Sequence, residues 1–95
     1  MTHFDLPVYV FDFRDLRNCD RTTDTKEGET IEVLVRQEND LISPPVRAQG
    51  CRSGDGQSFE ISVTTKQGTQ SHRWGWLALL DAIRVHRGTS GARNP

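Results

Sequence analysis

The chain lacks the long apolar run and the leader pattern that would direct it to a membrane or across one. Its longest apolar stretch, residues 74–80, has seven residues, whereas a membrane-spanning helix needs about 20. Residues 1–6 have neither a basic start nor an apolar run, so we expect no signal peptide and a cytoplasmic location. In that reducing compartment we expect Cys19 and Cys51 to remain thiols.

Patterns typical of metal binding and of catalysis are also missing. No cysteine or histidine pair has the C-x-x-C or H-x-x-x-H spacing of metal ligands. On one helix His72 and His86 would be about 21 Å apart, because a helix rises about 1.5 Å per residue. Nothing places either cysteine beside a histidine and an orienting group, as a cysteine nucleophile requires. We therefore predict a protein that is not an enzyme and has no metal, no cofactor and no catalytic residue.

The length and charge predict one small, nearly neutral domain. With 95 residues, of which 34% are hydrophobic, the chain can form one thin core, which we assign to residues 1–88, followed by a flexible tail over residues 89–95. The net charge is −1, but residues 1–45 hold ten acidic and five basic residues, whereas residues 46–95 hold three and seven. This asymmetry either orients encounters with a charged partner or disappears when both halves mix on one surface.

Two strands are predicted in the first half of the chain. Residues 8–13, VYVFDF, are β-branched and aromatic, and Thr30–Gln37 alternates cleanly between apolar and polar residues. Between them, residues 14–29 are polar and without period, which predicts a long loop that is either disordered or involved in polar recognition, with at most one turn of helix.

The second half predicts a β-hairpin and a helix. Val46–Arg52 and Ser58–Thr65 flank the glycine-containing turn SGDGQ, and Gly50 within the first of these strands predicts a bulge. Ser71 is a plausible N-cap for a helix that reaches Arg87 and stops before Gly88. We therefore predict an α+β fold in the order β, loop, β, β-hairpin, α: a four-stranded, mostly antiparallel sheet with one C-terminal helix packed on one face.

This predicted helix is apolar on two sides. One stripe would face the sheet, and it consists of Trp76, Leu79, Leu80 and Ile83. A second stripe on the opposite side would consist of Trp74, Ala78, Ala82 and Val85. The second stripe is either covered by the chain itself, with Trp74 folded over the sheet edge, or exposed as an interface.

The surplus of apolar surface favours a protein-binding function. We predict a small non-catalytic module, an adaptor or a stoichiometric inhibitor, that contacts another protein or a second copy of itself through Arg73, Trp74, Arg84 and Val85.

Two alternatives involve nucleic acids. A basic face could bind nucleic acid through Arg47, Arg52, Arg73, Arg84 and Arg87, although the near-neutral total charge disfavours it. Conversely, the acidic first half could imitate a nucleic acid and occupy a nucleic-acid-binding protein.

Overall fold

The computed structural model describes the backbone of residues 7–91 and the side chains of residues 7–86. The α+β class is confirmed, but the sheet has five strands where the sequence predicted four. All neighbouring strands are antiparallel, and their order in the sheet is their order in the chain. The elements are β1 (Tyr9–Phe11), α1 (Leu16–Thr23), β2 (Thr30–Gln37), β3 (Val46–Arg52), β4 (Ser58–Thr65), β5 (Gly68–Gly75) and α2 (Trp76–Gly91).

The sheet is curled, and its concave face holds the core. Strand β4 supplies a row of three inward side chains, Phe59, Ile61 and Val63, and all three are buried. The central strand β3 contributes only small groups here, since Gly50 lies between Ile31 and Ile61 in the ladder. A Cβ atom on Gly50 would lie 2.4 Å from the Phe59 ring. The predicted bulge is therefore wrong: Gly50 is regularly paired, and its missing side chain makes room for the phenylalanine.

The fifth strand occupies the region predicted as the first turn of the helix. Residues 68–75 pair with β4 along their whole length after a tight turn at Gly68, whose φ is +120°. Ser71 is consequently a strand residue and not an N-cap, and α2 begins at Trp76. The helix also continues through Gly88 to Gly91, so the predicted stop is wrong as well. Of the predicted tail, residues 92–95 lie outside the described residues.

The core-facing stripe of α2 is confirmed. Trp76, Leu79 and Ile83 are buried, and Leu80 packs against them. The Arg52 guanidinium covers the Trp76 ring at 3.9 Å from its centre and donates hydrogen bonds to the carbonyl oxygens of Gly56 and Thr25. The second predicted stripe loses Trp74, which belongs to β5, and keeps only Ala78, Ala82 and Val85 on α2.

The stretch predicted as a long loop contains helix α1, which packs against β2. Asp15 caps its N-terminus by accepting a hydrogen bond from the backbone of Asn18. The Asn18 side chain accepts from Leu34 N–H and donates to the carbonyl oxygens of Leu34 and Asp12. The Asn18 side chain thereby hydrogen-bonds to β2 at Leu34, where the pairing between β1 and β2 ends. The buried face of α1 is Asn18, Cys19 and Thr22, which has no apolar period to reveal it.

Candidate functional site

The two edge strands of the curled sheet, β1 and β5, line the same open cavity of about 320 Å³. We call this cavity the edge cleft. Its floor is the concave face of the sheet, and its walls are the unpaired edges of β1 and β5. The lining residues are Val8, Tyr9, Val10, Phe11, Val35, Glu38, Ile61, Val63, Gln70, Ser71, His72 and Trp74.

The hydrogen-bond alternation shows which backbone groups of β1 point away from its partner strand. The Val8 carbonyl accepts from Glu38 N–H at 2.8 Å, and Asp12 N–H donates to Leu34 at 3.0 Å. Residues at even positions of β1 therefore pair with β2, and Tyr9 and Phe11 direct their backbone groups toward the open edge.

The same alternation holds for β5. Trp76 N–H donates to the Gln57 carbonyl at 2.8 Å, which assigns the even-numbered residues of β5 to the ladder with β4. Ser71 and Arg73 consequently direct their N–H and C=O groups to the free edge. The edge cleft is thus bordered by two rows of unpaired strand backbone, which is the usual template for pairing with another chain.

The inner face of β5 carries three polar or amphipathic side chains. Gln70, His72 and Trp74 lie directly opposite Val63, Ile61 and Phe59 in the ladder, so they share the concave face with the core. The amide Nε2 of Gln70 and the indole Nε1 of Trp74 are buried, and neither has a hydrogen-bond partner within residues 7–86. An unpaired buried donor costs about 1 to 3 kcal/mol.

An aromatic cluster closes one end of the edge cleft. The Phe13 ring lies edge-on to Trp74, 6.1 Å between centres, and stacks on the His86 ring of α2 at 4.4 Å. His72 packs edge-on against Trp74 at 5.4 Å. Trp74 is half-buried, and the side chains of Phe13 and His72 in the same chain cover part of its ring. At the other end Val8, Tyr9 and Glu38 line an open mouth.

The four residues predicted to bind a partner are divided between strand β5 and helix α2. Trp74 lines the edge cleft, whereas its neighbour Arg73 points to the convex face, opposite Glu60. Arg84 and Val85 are exposed on α2, where Arg84 is paired with Asp81.

The five arginines of the nucleic-acid alternative are divided among strands β3 and β5 and helix α2. Arg52 is engaged inside the protein, with Trp76 and the carbonyl oxygens of Gly56 and Thr25. Arg47 lies 3.9 Å from Glu32 on the convex face, and Arg73 faces Glu60 across the ladder. The side chain of Arg87 lies outside the described residues. Acidic neighbours therefore interrupt the cationic surface that phosphate binding requires.

A second apolar surface lies on the β2–β3 loop. Leu41 and Ile42 are exposed, Ile42 to 95%. Asp40 holds this turn by accepting the backbone N–H groups of Ser43 and Ile42, and these hydrogen bonds lower its pKa to about 2. None of the residues that line the edge cleft comes from this turn.

One buried carboxylate lies beside β1. Burial raises the pKa of Asp12, but hydrogen bonds from the Arg14 side chain and backbone outweigh it, so that the pKa lies below its usual value. Arg14 Nε lies 3.0 Å from Asp12 Oδ1, and the Arg14 guanidinium also donates a hydrogen bond to the Leu41 carbonyl oxygen. Asp12 is thus a structural ion, placed on the opposite strand face from Phe11.

Sequence reasoning missed most of the edge cleft. Tyr9 and Gln70 were assigned no role, and His72 was considered only as a metal ligand. The stretch QSHRW gave no polarity signal for a strand, because the inward residues Gln70 and His72 are as polar as the outward residues between them.

The remaining chemical features of the described part of the chain are few. Neither cysteine is in a disulfide: Cys19 is buried, with its thiol donating to the Phe13 carbonyl at 3.5 Å, and Cys51 is exposed. Within the described residues, no three His, Cys, Asp or Glu side chains are grouped to hold a metal ion, and no helix is long and apolar enough to cross a membrane. No protein-family model, curated protein or solved structure matches the chain.

Proposed function

We propose that this protein is a small non-catalytic binding module that accepts an extended segment of another protein as a sixth strand in the edge cleft. The observation that carries the proposal is that both unpaired strand edges border one cavity. Four successive antiparallel pairings make β1 and β5 run in the same sense, so they are poor partners for each other in an otherwise antiparallel sheet. A strand of opposite sense between them would pair antiparallel with both.

Strand addition suits the chemistry of the cleft. The backbone groups of Tyr9, Phe11, Ser71 and Arg73 supply the ladder, and the apolar floor accepts alternate side chains of the incoming strand. Carbonyl oxygens of the guest would also offer acceptors to the unpaired Gln70 and Trp74 donors after small side-chain rotations. Binding would then remove a cost that the free protein carries.

The cleft favours a protein segment over a nucleic acid. Its lining contains no arginine or lysine, and its one charged group at neutral pH with a fixed sign is the carboxylate of Glu38. Arg36 is not a lining residue, and its guanidinium donates to the carbonyl oxygens of Gln37 and Glu38, so the lining itself offers a polyanion no cation. The proposed function requires no catalytic group. The protein acts by binding alone, as an adaptor or a stoichiometric inhibitor does.

The test is selection of a random heptapeptide phage library on the immobilised protein, with two proline variants as a matched pair. Ser71→Pro removes an outward N–H inside the cleft, and Thr69→Pro removes one on the same edge beyond the lining residues. Each variant also loses one exposed cross-strand hydroxyl hydrogen bond of 3.1 Å, to Ser62 or Thr64.

We expect the affinity of enriched peptides to fall at least about tenfold on Ser71→Pro, because the variant loses one backbone hydrogen bond to the peptide and adds a steric clash. On Thr69→Pro the affinity should fall about twofold or less. No enrichment, or equal effects of both variants, would contradict strand addition. A second copy of this chain is the other partner that the sequence predicted, and it would give a different experimental result. If dimers form in light scattering and Ser71→Pro abolishes them, the cleft serves self-association and the proposal of a foreign segment fails.

A further inference from the structure

We infer, on the basis of the strand-addition function proposed above, a polarity and a sequence pattern for the segment that the edge cleft binds. The segment runs antiparallel to β1 and β5, places apolar side chains at alternate positions on the cleft floor, and carries a lysine or arginine at its C-terminal end beside Glu38.

The direction follows from how the two edges are oriented. Phe13, which follows β1, contacts Trp74 near the end of β5, so both strands run toward the aromatic cluster. Val8 and Gln70 therefore mark the opposite, open end of the cleft. A guest antiparallel to both edges enters with its N-terminal side at Trp74 and leaves with its C-terminal side at Val8.

The alternation of guest side chains follows from the floor. Val35, Ile61 and Val63 form its base, and each belongs to the buried core. Side chains of a strand alternate between faces, so every second guest residue is directed at this apolar base. The residues between them face the convex side, where Ser71 of β5 and the apolar Val8 and Val10 of β1 are their neighbours, so either polar or apolar side chains fit there.

The basic residue follows from the charge at the open end. Glu38 is exposed, lines the cleft, and forms no ion pair within residues 7–86. Because the aromatic end of the cleft has no fixed charge in its lining, the charge preference of the guest is confined to its C-terminal side. A solvent-exposed ion pair is worth about two- to fivefold in affinity.

The experiment uses the peptides selected from the heptapeptide library. We expect lysine or arginine to be enriched on the C-terminal side of an alternating apolar pattern. Replacing that residue by glutamate should lower affinity about two- to fivefold on the wild type, and Glu38→Lys should reverse the preference. The matched control is Glu32→Lys, which makes the same change in net charge on the convex face, beside Arg47, and should leave the preference unchanged.

Direction is measured with a spin label at either end of a selected peptide. A C-terminal label should broaden the amide signals of Val8 and Gln70, and an N-terminal label those of Trp74. The opposite broadening, or peptides without a C-terminal basic preference, would overturn this inference while leaving strand addition intact. A library without enriched peptides would overturn both.

Discussion

Gly50→Ala tests whether the core depends on the missing side chain at position 50. The new Cβ atom would lie 2.4 and 2.8 Å from two carbons of the Phe59 ring and 3.0 Å from a Val33 methyl group. Phe59 and Val33 are fully buried, so neither can move away without disturbing the core. Forcing one carbon into a close-packed core costs about 1 to 3 kcal/mol.

Urea unfolding measures this loss. With an m-value of about 1 to 1.5 kcal/mol/M, we expect the midpoint to fall by roughly 0.7 to 3 M. Gly54→Ala is the matched control, because a Cβ there meets nothing within 4 Å, and it should be unchanged or up to about 1 kcal/mol more stable. Phe59→Leu should cost less in the Gly50→Ala background than alone, by about 0.5 to 2 kcal/mol. Equal stability of the two alanine variants would refute the packing argument.

Three further substitutions test the region around α1, each by urea unfolding. Asn18→Ala removes the partner of Leu34 N–H and the amide donor to the Asp12 carbonyl, while the Leu34 carbonyl keeps its hydrogen bond from Asp12 N–H. The variant should lose about 2 to 4 kcal/mol of stability; a loss below about 1 kcal/mol would contradict the bridging role of Asn18. Thr22→Val removes a buried hydroxyl without a partner and should be neutral or up to about 1 kcal/mol stabilising, so a clear loss would reveal an overlooked hydrogen bond. The lowered pKa of Asp12 gives stability that is present above about pH 4 and is lost as the pH falls through the folded-state pKa. The advantage of wild type over Asp12→Asn should therefore shrink below about pH 4, and a pH-independent difference would rule this linkage out.

The elements that the sequence predicted well are those whose side chains alternate in polarity. Thr30–Gln37 and the hairpin of Val46–Arg52 with Ser58–Thr65 have their predicted bounds, because burial on one face of a sheet imposes a period of two on the sequence. Trp76 and its helical partners were likewise predicted to face the core, since their spacing follows the turn of a helix.

The elements that were missed bury polar groups. Helix α1 presents an asparagine, a cysteine and a threonine to the sheet, and the hydrogen bonds of Asn18 replace apolar contact as the reason for burial. In β5 the inward positions are Gln70, His72 and Trp74, so polarity does not alternate along the strand. Ser71 was predicted to cap a helix because of its local residue preference. In the fold, pairing with another strand overrides that preference.

The candidate site was predictable only in part. Trp74 was selected as a contact residue, and it does line the edge cleft. The prediction placed Trp74 on a helix surface together with Arg84 and Val85. The sequence does not reveal that the first and last strands of the sheet face each other across one cavity. That proximity comes from the curl of the five-stranded sheet, a long-range property that the local residue pattern does not show.

The central claim is that the edge cleft completes its sheet with a foreign strand, and amide hydrogen exchange on the complex with a selected peptide tests it most directly. Tyr9, Phe11, Ser71 and Arg73 direct their N–H groups to the open edges. We expect slowed exchange on peptide binding at these four residues, alternating with neighbours whose bonds to β2 and β4 already protect them. Protection confined to the Leu41–Ile42 turn or to the convex face, with these four amides unchanged, would contradict the account.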